Sequence, residues 1–360
     1  MSELIQSLSE QEAIEQIVET VQQAEPGTAP FVLVLGAGFS HGLVPTAREI
    51  VEEALPLAER KADRDLDLQL DNDTGLPADY AKAYRAAFAP EYSGAVGEPA
   101  QARRFQRVLV RPDRPRLNAP HFLLASLLGV QPGKSRKSRL FKARAAFSRL
   151  ILTTNFDPFL QTALQAVSRL YLMSDAPELG VGDEIFDEQA DAIHLVYLHG
   201  SIHRRSQAAT GKEIQVIKEK NARTLAPVLE RHGVIVLGYS GWDDAIVEAL
   251  AACRRFEHRL YWCGRESGPS VKGAFGPRVE DILRKPAALC VNITGAGHFM
   301  AQLCAALVEG LPRLLDNPVA QLREMLETID LTELEPVATP VPPGPPSPQE
   351  LSGRFTPEVL

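Results

Sequence analysis

Six short apolar runs, separated mostly by segments with helical spacing, constrain the fold of this 360-residue chain more than any other feature. Each run is five or six residues long and mostly apolar, as is typical of strands buried on both faces of a sheet. The runs occupy residues 31–35, 149–154, 194–198, 233–237, 259–263 and 288–293. Helical patterns occupy residues 10–24, 158–172, 243–255 and 299–311. Strands that alternate with helices predict an α/β fold with a Rossmann-like, doubly wound parallel sheet.

Two segments interrupt this alternation. Residues 47–148 are rich in Ala and Arg and largely helical in pattern, and their length predicts a helical insertion subdomain between the first two strands. Residues 336–360 hold eight of the 27 prolines and predict a disordered tail, because such a composition cannot build a core. The predicted organisation is an N-terminal helix within 1–29, a main domain over 30–315, a C-terminal helix over 316–335 and the Pro-rich tail.

Composition is that of an ordinary globular protein, with 45% hydrophobic and 23% charged residues. No apolar run approaches the roughly 18 residues of a membrane helix. The polar, acidic N-terminus lacks the basic start and apolar centre of a signal peptide. Four cysteines without any C-x-x-C spacing are too few for a disulfide framework. We therefore expect a cytoplasmic protein that does not contact membranes.

A basic segment, residues 101–150, contrasts with the net charge of -8. It holds 13 Lys and Arg residues and one acid, Asp113. The segment matches no nucleic-acid-binding motif and has few aromatic residues among its charges. We interpret it either as a solvated loop or as a surface for a protein partner or a second copy of the chain, and we do not expect direct nucleic-acid binding.

Small and polar residues directly follow four of the predicted strands. They are Gly36, Ala37, Gly38, Phe39 and Ser40, then Thr154, Asn155 and Asp157, then His199, and finally Gly238 and Ser240. Ligands bind at the carboxyl ends of the strands in open α/β sheets, so the four strand ends together predict a binding site. Taken singly, each has an ordinary explanation: a tight glycine turn, a helix cap at Asn155 or Asp157, or a hydrogen-bonded core histidine at His199.

These motifs, in this order, resemble the sirtuin superfamily. The matching stretches are G-A-G-F-S at 36–40, T-T-N-F-D at 153–157, L-H-G at 198–200 and G-Y-S at 238–240. Pro120 and His121 open a Leu-rich helical pattern that is similar to the helix preceding the Asn-bearing strand of the family. Gly264, after Trp262 and Cys263, resembles a late element of the bacterial sirtuin-like branch. The resemblance covers about residues 30–310 and implies binding of NAD.

Departures from the family pattern indicate which branch the chain resembles. Protein-deacylating sirtuins hold a structural zinc with four cysteines between the H-G and G-x-S motifs, whereas residues 201–237 contain no cysteine. The deacylase G-x-P-D-F-R stretch is also missing, since Pro45 is followed by Thr46, Ala47 and Arg48. The pattern is similar to the zinc-less, sirtuin-like NAD hydrolases of bacterial anti-phage defence, which implies NAD as substrate and no zinc or other metal.

The resemblance also implies roles for individual residues. Asn155 and Asp157 would fix the nicotinamide amide or the attacking water, and His199 would bind the ribose hydroxyls or act as general base. The remaining residues would bind the cofactor, with phosphates on the loop amides and at the G-x-S motif: Gly36, Ala37, Gly38, Phe39, Ser40, Thr154, Gly238, Ser240 and Gly264.

The implied activity is cleavage of NAD to nicotinamide and ADP-ribose by a regulated toxic effector of anti-phage defence acting through abortive infection. Because free NADase activity would kill its host, we expect control by homo-oligomerisation or by a separately encoded partner, such as an ATPase ring or a nucleic-acid-sensing protein. Two alternatives stay open: an NAD-dependent protein deacylase or ADP-ribosyltransferase, and a non-catalytic module that binds NAD or ADP-ribose.

Overall fold

The fold was obtained as a computed structural model. It describes residues 5–24, 29–44, 117–129, 147–167, 169–175, 192–198, 211–241, 245–265 and 277–308, together with 317, 319, 320 and 323. For residues 129, 175, 211–220, 277 and 308 it describes the backbone alone. The predicted insertion lies outside the described residues except at 117–129 and 147–148, and the Pro-rich tail lies wholly outside them.

Parallel strands form one sheet of eight within the described residues. The strands are β1 (Gln6–Ser9), β2 (Phe31–Leu35), β3 (Phe147–Thr153), β4 (Tyr171–Asp175), β5 (Ile193–Tyr197), β6 (Gly233–Leu237), β7 (Leu260–Gly264) and β8 (Ala288–Asn292). Their order is β1-β8-β7-β6-β2-β3-β5-β4, and each neighbouring pair is parallel. This confirms the predicted doubly wound α/β sheet.

Helices of the described residues flank the sheet. They are α1 (Glu10–Gln23), α2 (Ala119–Gly129), α3 (Phe159–Ala166), α4 (Gly211–Arg231), α5 (Ala245–Ala252), α6 (Pro277–Leu283) and α7 (Ala296–Val308). In the part of the chain described, no helix combines the length and the apolar character needed to cross a membrane.

The point at which the strand order reverses lies at β2. From β2 the chain continues to β3 on one side, and it later returns through β6 to the other side. β2 and β6 pair in register, with Leu35 opposite Leu237. In open α/β sheets the crevice at this reversal point, beyond the carboxyl ends of the strands, is where ligands bind. Gly36 and Gly238 are therefore the first residues beyond the sheet at the expected binding position.

Alternate side chains of β2 enter two separate cores, which explains why its apolar run is continuous. Phe31, Leu33 and Leu35 belong to the core formed with α1, α2 and α7. Val32 and Val34 belong to the core formed with α4 and α5. All five side chains are at most 2% exposed.

Three features of the fold differ from the sequence interpretation. The edge strands β1 and β4 were not predicted, and the pattern read as a helix over 158–172 is wrong beyond Ala166, because the chain turns there into β4. Helix α2 lies within the predicted insertion, yet Leu124 and Leu127 of α2 belong to the main core. The chain divides into one compact unit over 1–316 and a second over 317–360, and in the second unit residues 319, 320 and 323 are helical.

Candidate active site

The glycine loop after β2 packs directly, backbone against backbone, on the loop after β6. The Gly36 N–H donates to Leu237 O over 2.9 Å and the Gly38 N–H to Gly238 O over 2.7 Å. A Cβ added at Gly36 would lie 2.5 Å from Gly238 O, and one added at Gly38 would lie 2.8 Å from Gly238 Cα. Backbone atoms cannot move aside as a flexible side chain can, so these glycines are required for packing, with or without a ligand.

Residues Ala37–Ser40 form a 3-10 turn and not the start of an α-helix. Within this turn the amides of Gly38 and Phe39 are already bonded, the latter to Gly36 O over 2.9 Å. Ala37 and Gly38 are exposed, whereas Phe39 and Ser40 are fully buried. A phosphate could reach the exposed side of the turn, but the amides of Gly38 and Phe39 would have to exchange their present bonds to hold it.

Ser40, Asn155 and Asp157 meet in one buried cluster. The Ser40 hydroxyl donates to Asp157 Oδ2 over 2.8 Å, across 117 positions of sequence. The Asn155 amide donates one N–H to Ser40 Oγ and the other to Gly36 O, each over 3.1 Å. These three residues are 0%, 8% and 5% exposed. The parallel pairing of β2 with β3 brings the loops that follow these two strands together.

The end of β3 is tied to the end of β2, and this orients Asn155. The Thr153 hydroxyl and the Thr154 N–H both donate to Leu35 O, over 3.2 and 3.0 Å. The Asn155 N–H in turn donates to Thr153 Oγ1 over 3.1 Å. Both N–H groups of the Asn155 amide are used within the cluster, while Oδ1 takes no hydrogen bond from the described residues. Asn155 Oδ1 is therefore an acceptor that a substrate or a water can use.

Asp157 combines a structural contact with an unusual electrostatic position. Its Oδ1 accepts the N–H of Phe159, the first residue of α3, over 3.2 Å, but the N-cap of α3 is Pro158 and no side chain caps this helix. Burial raises the pKa of Asp157 from the usual 3.8 to about 6, although the bonds from Ser40 and Phe159 oppose the rise. No charged side chain among the described residues offsets this burial. At neutral pH the site therefore holds a buried and mostly ionised carboxylate.

His121 also belongs to the cluster, although sequence reasoning gave it no role. Its Nε2 lies 3.4 Å from Ser40 Oγ, and its ring packs edge-on against Phe39 at a centroid distance of 4.9 Å. Burial lowers the pKa of His121 to about 3, which keeps the imidazole neutral. Its Nδ1 faces Asn118 Oδ1, at the start of α2. The sequence signal for this contact is the Asn that precedes the Leu-rich helix by one residue.

The structure shows no hydrogen bond between this cluster and the described part of the remaining predicted site, Ser240 and Gly264. His199 lies outside the described residues, but Leu198, which precedes it, donates its N–H to Thr153 O over 2.8 Å. Ser240 is exposed on the loop after β6. Gly264 ends β7, which is separated from β2 by β6. The structure thus brings Gly36, Ser40, Asn155 and Asp157 together, and leaves Gly264 apart.

Fold and site together define an α/β protein of Rossmann-like architecture with a buried polar cluster at the reversal point of its sheet. Residues 149–273, 125 of the 360, match the family described as the SIR2-like domain. The match includes Asn155 and Asp157 and ends after β7, and it leaves out the glycine loop and α2. It supports a place in the sirtuin-like superfamily for the chain. No curated protein matches the chain.

Proposed function

We propose that this protein hydrolyses NAD at the bond between nicotinamide and ribose, giving nicotinamide and ADP-ribose. The SIR2-like match fits NAD-dependent activity in general. The observation that carries the proposal is the buried cluster in which the Asn155 amide and the Asp157 carboxylate both bond the hydroxyl of Ser40. It lies beside the reversal point of the sheet, where a nucleotide would be expected.

Hydrolysis needs a leaving group to be held, positive charge to be stabilised and a water to be placed. The nicotinamide–ribose bond breaks with its electron pair moving to the ring nitrogen, which neutralises the pyridinium. Water then adds to the ribose carbon and gives up one proton. Asn155 Oδ1, which has no partner among the described residues, would accept a hydrogen bond from the nicotinamide carboxamide or from that water. The buried Asp157 carboxylate would favour positive charge developing on the ribose, because water does not screen it there.

Two further groups would complete the reaction. His199 follows β5, next to β3, and would bind the ribose hydroxyls or accept the proton of the attacking water. The exposed side of the turn at 37–40, with Gly238 and Ser240 of the neighbouring loop, would face the phosphates. Thr154 and Gly264 are the remaining proposed cofactor contacts. The mechanism assigns no role to zinc or another metal.

The biological setting that we propose is bacterial anti-phage defence, in which the protein would act in the cytoplasm as a toxic effector that depletes NAD. Such an activity requires control, so we propose a homo-oligomer or a separately encoded partner, such as an ATPase ring or a nucleic-acid-sensing protein. The charged parts of the basic segment 101–150, residues 103–116 and 134–144, are the proposed surface for either contact, because their charge opposes that of the rest of the chain.

Purified full-length protein incubated with NAD, alone and with the product of a neighbouring gene, tests the proposal. Release of free nicotinamide and ADP-ribose without an acceptor supports it. Nicotinamide release that requires an acylated or acceptor protein would indicate the deacylase or transferase, and NAD binding without turnover would indicate a non-catalytic module.

Variants then test the assigned residues. Asn155→Ala and His199→Ala should each abolish nicotinamide release while circular dichroism stays close to that of the wild type. The unfolding midpoint of Asn155→Ala should fall, because Gly36 O and Ser40 Oγ each lose a donor. Asn292→Ala is the matched control, since Asn292 is an exposed Asn at the end of β8 on the same edge of the sheet. Full turnover in both Asn155→Ala and His199→Ala would refute the assignment.

A further inference from the structure

The orientation of Asn118 is determined by two main-chain oxygens of the glycine loop. The Asn118 Nδ2 donates to Phe39 O over 3.0 Å and to His41 O over 3.4 Å. A flipped amide would instead point its oxygen at both carbonyl oxygens, which is repulsive. Asn118 Oδ1 therefore points the other way, where it accepts the main-chain N–H of His121 over 3.3 Å and faces the Nδ1 of the same ring.

The acceptor at Asn118 decides the tautomer of His121. Nδ1 can bond to Oδ1 only if it carries the ring proton. The imidazole is neutral, because burial lowers its pKa to about 3, so a single proton is present and it sits on Nδ1. The other nitrogen, Nε2, is consequently an unprotonated acceptor, and it points at Ser40 Oγ from 3.4 Å.

Ser40 thus has one hydroxyl proton and two acceptors for it. Asp157 Oδ2 is the nearer at 2.8 Å and His121 Nε2 the farther at 3.4 Å. The lone pairs of the same oxygen accept the N–H of Asn155 over 3.1 Å. A change in the direction of the Ser40 O–H bond therefore changes the hydrogen bonds of Asn155 and Asp157, the two residues that we propose contact the substrate.

We propose that Asn118 and His121 are positioning residues: they hold a second acceptor against Ser40 and so determine how its hydroxyl proton is shared with Asp157. This inference rests on the proposed function, because it assumes that Asn155 and Asp157 act on NAD. Neither residue needs to touch the substrate. Their effect passes through Ser40.

The arrangement gives Asp157 two satisfied states. When Asp157 is ionised, Ser40 donates to it and His121 Nε2 lacks a donor. When Asp157 takes up a proton from solvent, its O–H donates to Ser40, and the Ser40 hydroxyl turns to His121 Nε2. His121 therefore stabilises the protonated state of Asp157, whereas a ring with its proton on Nε2 would stabilise the ionised state. Among the described residues, the titratable groups that face Asp157 from neighbouring elements are His121, through Ser40, and Tyr197 of β5, whose hydroxyl donates to the Asp157 main-chain oxygen over 3.0 Å.

The direction of a pH shift tests the proposal. His121→Phe keeps an aromatic ring against Phe39 but removes Nε2. We expect the acid limb of the kcat/KM profile to move down by about one pH unit, the effect of about one neutral hydrogen bond, and kcat to fall by up to about a hundredfold. His121→Gln restores an acceptor and should return the acid limb toward that of the wild type. An acid limb that stays in place or moves up in His121→Phe would overturn the proposal.

A second measurement is independent of activity. In full-length wild-type protein labelled with 15N-histidine, NMR should show the His121 ring protonated at Nδ1 alone at pH 7, with the signals assigned by their absence in His121→Phe. Protonation at Nε2, or at both nitrogens, would refute the proposal even if NAD is turned over. If the wild-type protein does not turn over NAD, the proposed function fails, and carboxyl 13C NMR of Asp157 in wild type and His121→Phe still decides the direction of the shift.

Discussion

Asp157→Asn should make the protein more stable at neutral pH and remove the proposed NADase activity. Burial raises the pKa of Asp157 from 3.8 to about 6, so ionising this side chain is harder in the folded than in the unfolded chain. A shift of about two pH units corresponds to about 3 kcal/mol of free energy of unfolding. An amide at this position does not ionise and avoids that cost.

The pH dependence of this difference has a definite sign. Below about pH 4 the carboxyl is protonated in both the folded and unfolded chains, so Asp157 does not lower the free energy of unfolding. Between about pH 4 and pH 6 the unfolded chain loses the proton while the folded chain keeps it, and the stability of the wild type falls. Above about pH 6 both forms are ionised and the loss stays constant. The advantage of Asp157→Asn should therefore grow from near zero in acid to about 3 kcal/mol at pH 7.5, with about half of it present at pH 5.

The hydrogen bonds of the site can accommodate the substitution. The new amide oxygen can still accept the Phe159 N–H that begins α3. Its amide nitrogen would donate to Ser40 Oγ, and the Ser40 hydroxyl would then turn to His121 Nε2. No group of the wild-type site loses its partner, but the second N–H of the new amide has no acceptor among these atoms, and this adds a cost that does not depend on pH and offsets part of the electrostatic gain.

Urea unfolding of wild type and Asp157→Asn at pH 5 and pH 7.5 measures the effect, and nicotinamide release measures the loss of activity. Asp281→Asn is the control, since that carboxylate is 76% exposed and its removal should change little at either pH. The reasoning would be refuted if Asp157→Asn were less stable than the wild type at pH 7.5, or if its advantage were the same at both pH values.

Three further substitutions test the packing and capping of the fold. Gly36→Ala should cost about 1–3 kcal/mol and weaken NAD binding, because its Cβ meets backbone at 2.5 Å. Lys285→Met should cost about 2 kcal/mol, because the ammonium donates to the carbonyls of three residues at the end of α5, among them Cys253 O over 2.7 Å. Ser9→Ala should cost about 1 kcal/mol, because Ser9 and Glu12 form a capping box at the start of α1. Urea unfolding midpoints measure all three.

Each of these variants has a control substitution, either of the same residue type at an exposed or open position or of a neighbouring basic residue. Gly295→Ala places its Cβ in open space and should change stability by less than about 0.5 kcal/mol. Arg284→Met removes exposed ion pairs beside Lys285 and should have a similarly small effect. Ser7→Ala, on exposed β1, is the control for the cap. The packing argument is contradicted if Gly36→Ala lowers the unfolding midpoint no more than Gly295→Ala does. The capping arguments are contradicted if Lys285→Met or Ser9→Ala has the same unfolding midpoint as its control variant.

Strand positions were predictable where both faces of the sheet are covered. β2 and β6 are continuous apolar runs with every residue buried, and both were predicted with correct ends. The edge strands β1 and β4 lack this signal, because Gln6, Ser7 and Leu172 are exposed and the strands read as polar or helical segments. A short run such as Phe159–Ala166 followed by Leu170 and Leu172 keeps helical spacing by chance, so periodicity could not reveal the turn into β4.

The sequence predicted that Ser40, Asn155 and Asp157 lie at one edge of the sheet, but it did not predict the hydrogen bonds between them. Position after a strand was sufficient to select Ser40, Asn155 and Asp157, since parallel strands end at one edge. That Ser40 is buried and donates to Asp157 depends on how two loops pack across 117 positions, which no local pattern encodes. The inclusion of His121 depends in the same way on α2 packing over the loop, with the ring 4.9 Å from that of Phe39.

Gly36 and Gly238 are weak evidence for a bound ligand, whereas the Asp157 carboxylate is stronger evidence. Gly36 and Gly238 are explained by the contact between their own backbones, so a glycine loop of this kind would persist in a protein that binds nothing. Asp157 has no such explanation, because an amide could also accept the Phe159 N–H and bond Ser40, whereas burial raises the pKa of the carboxyl to about 6 and so makes its ionised form unfavourable in the folded chain. Selection for a stable fold alone would favour Asn at this position. Residues that lower the stability of the folded chain and are nevertheless kept are characteristic of functional sites. Asp157 is therefore the strongest single reason to regard this strand edge as an active site.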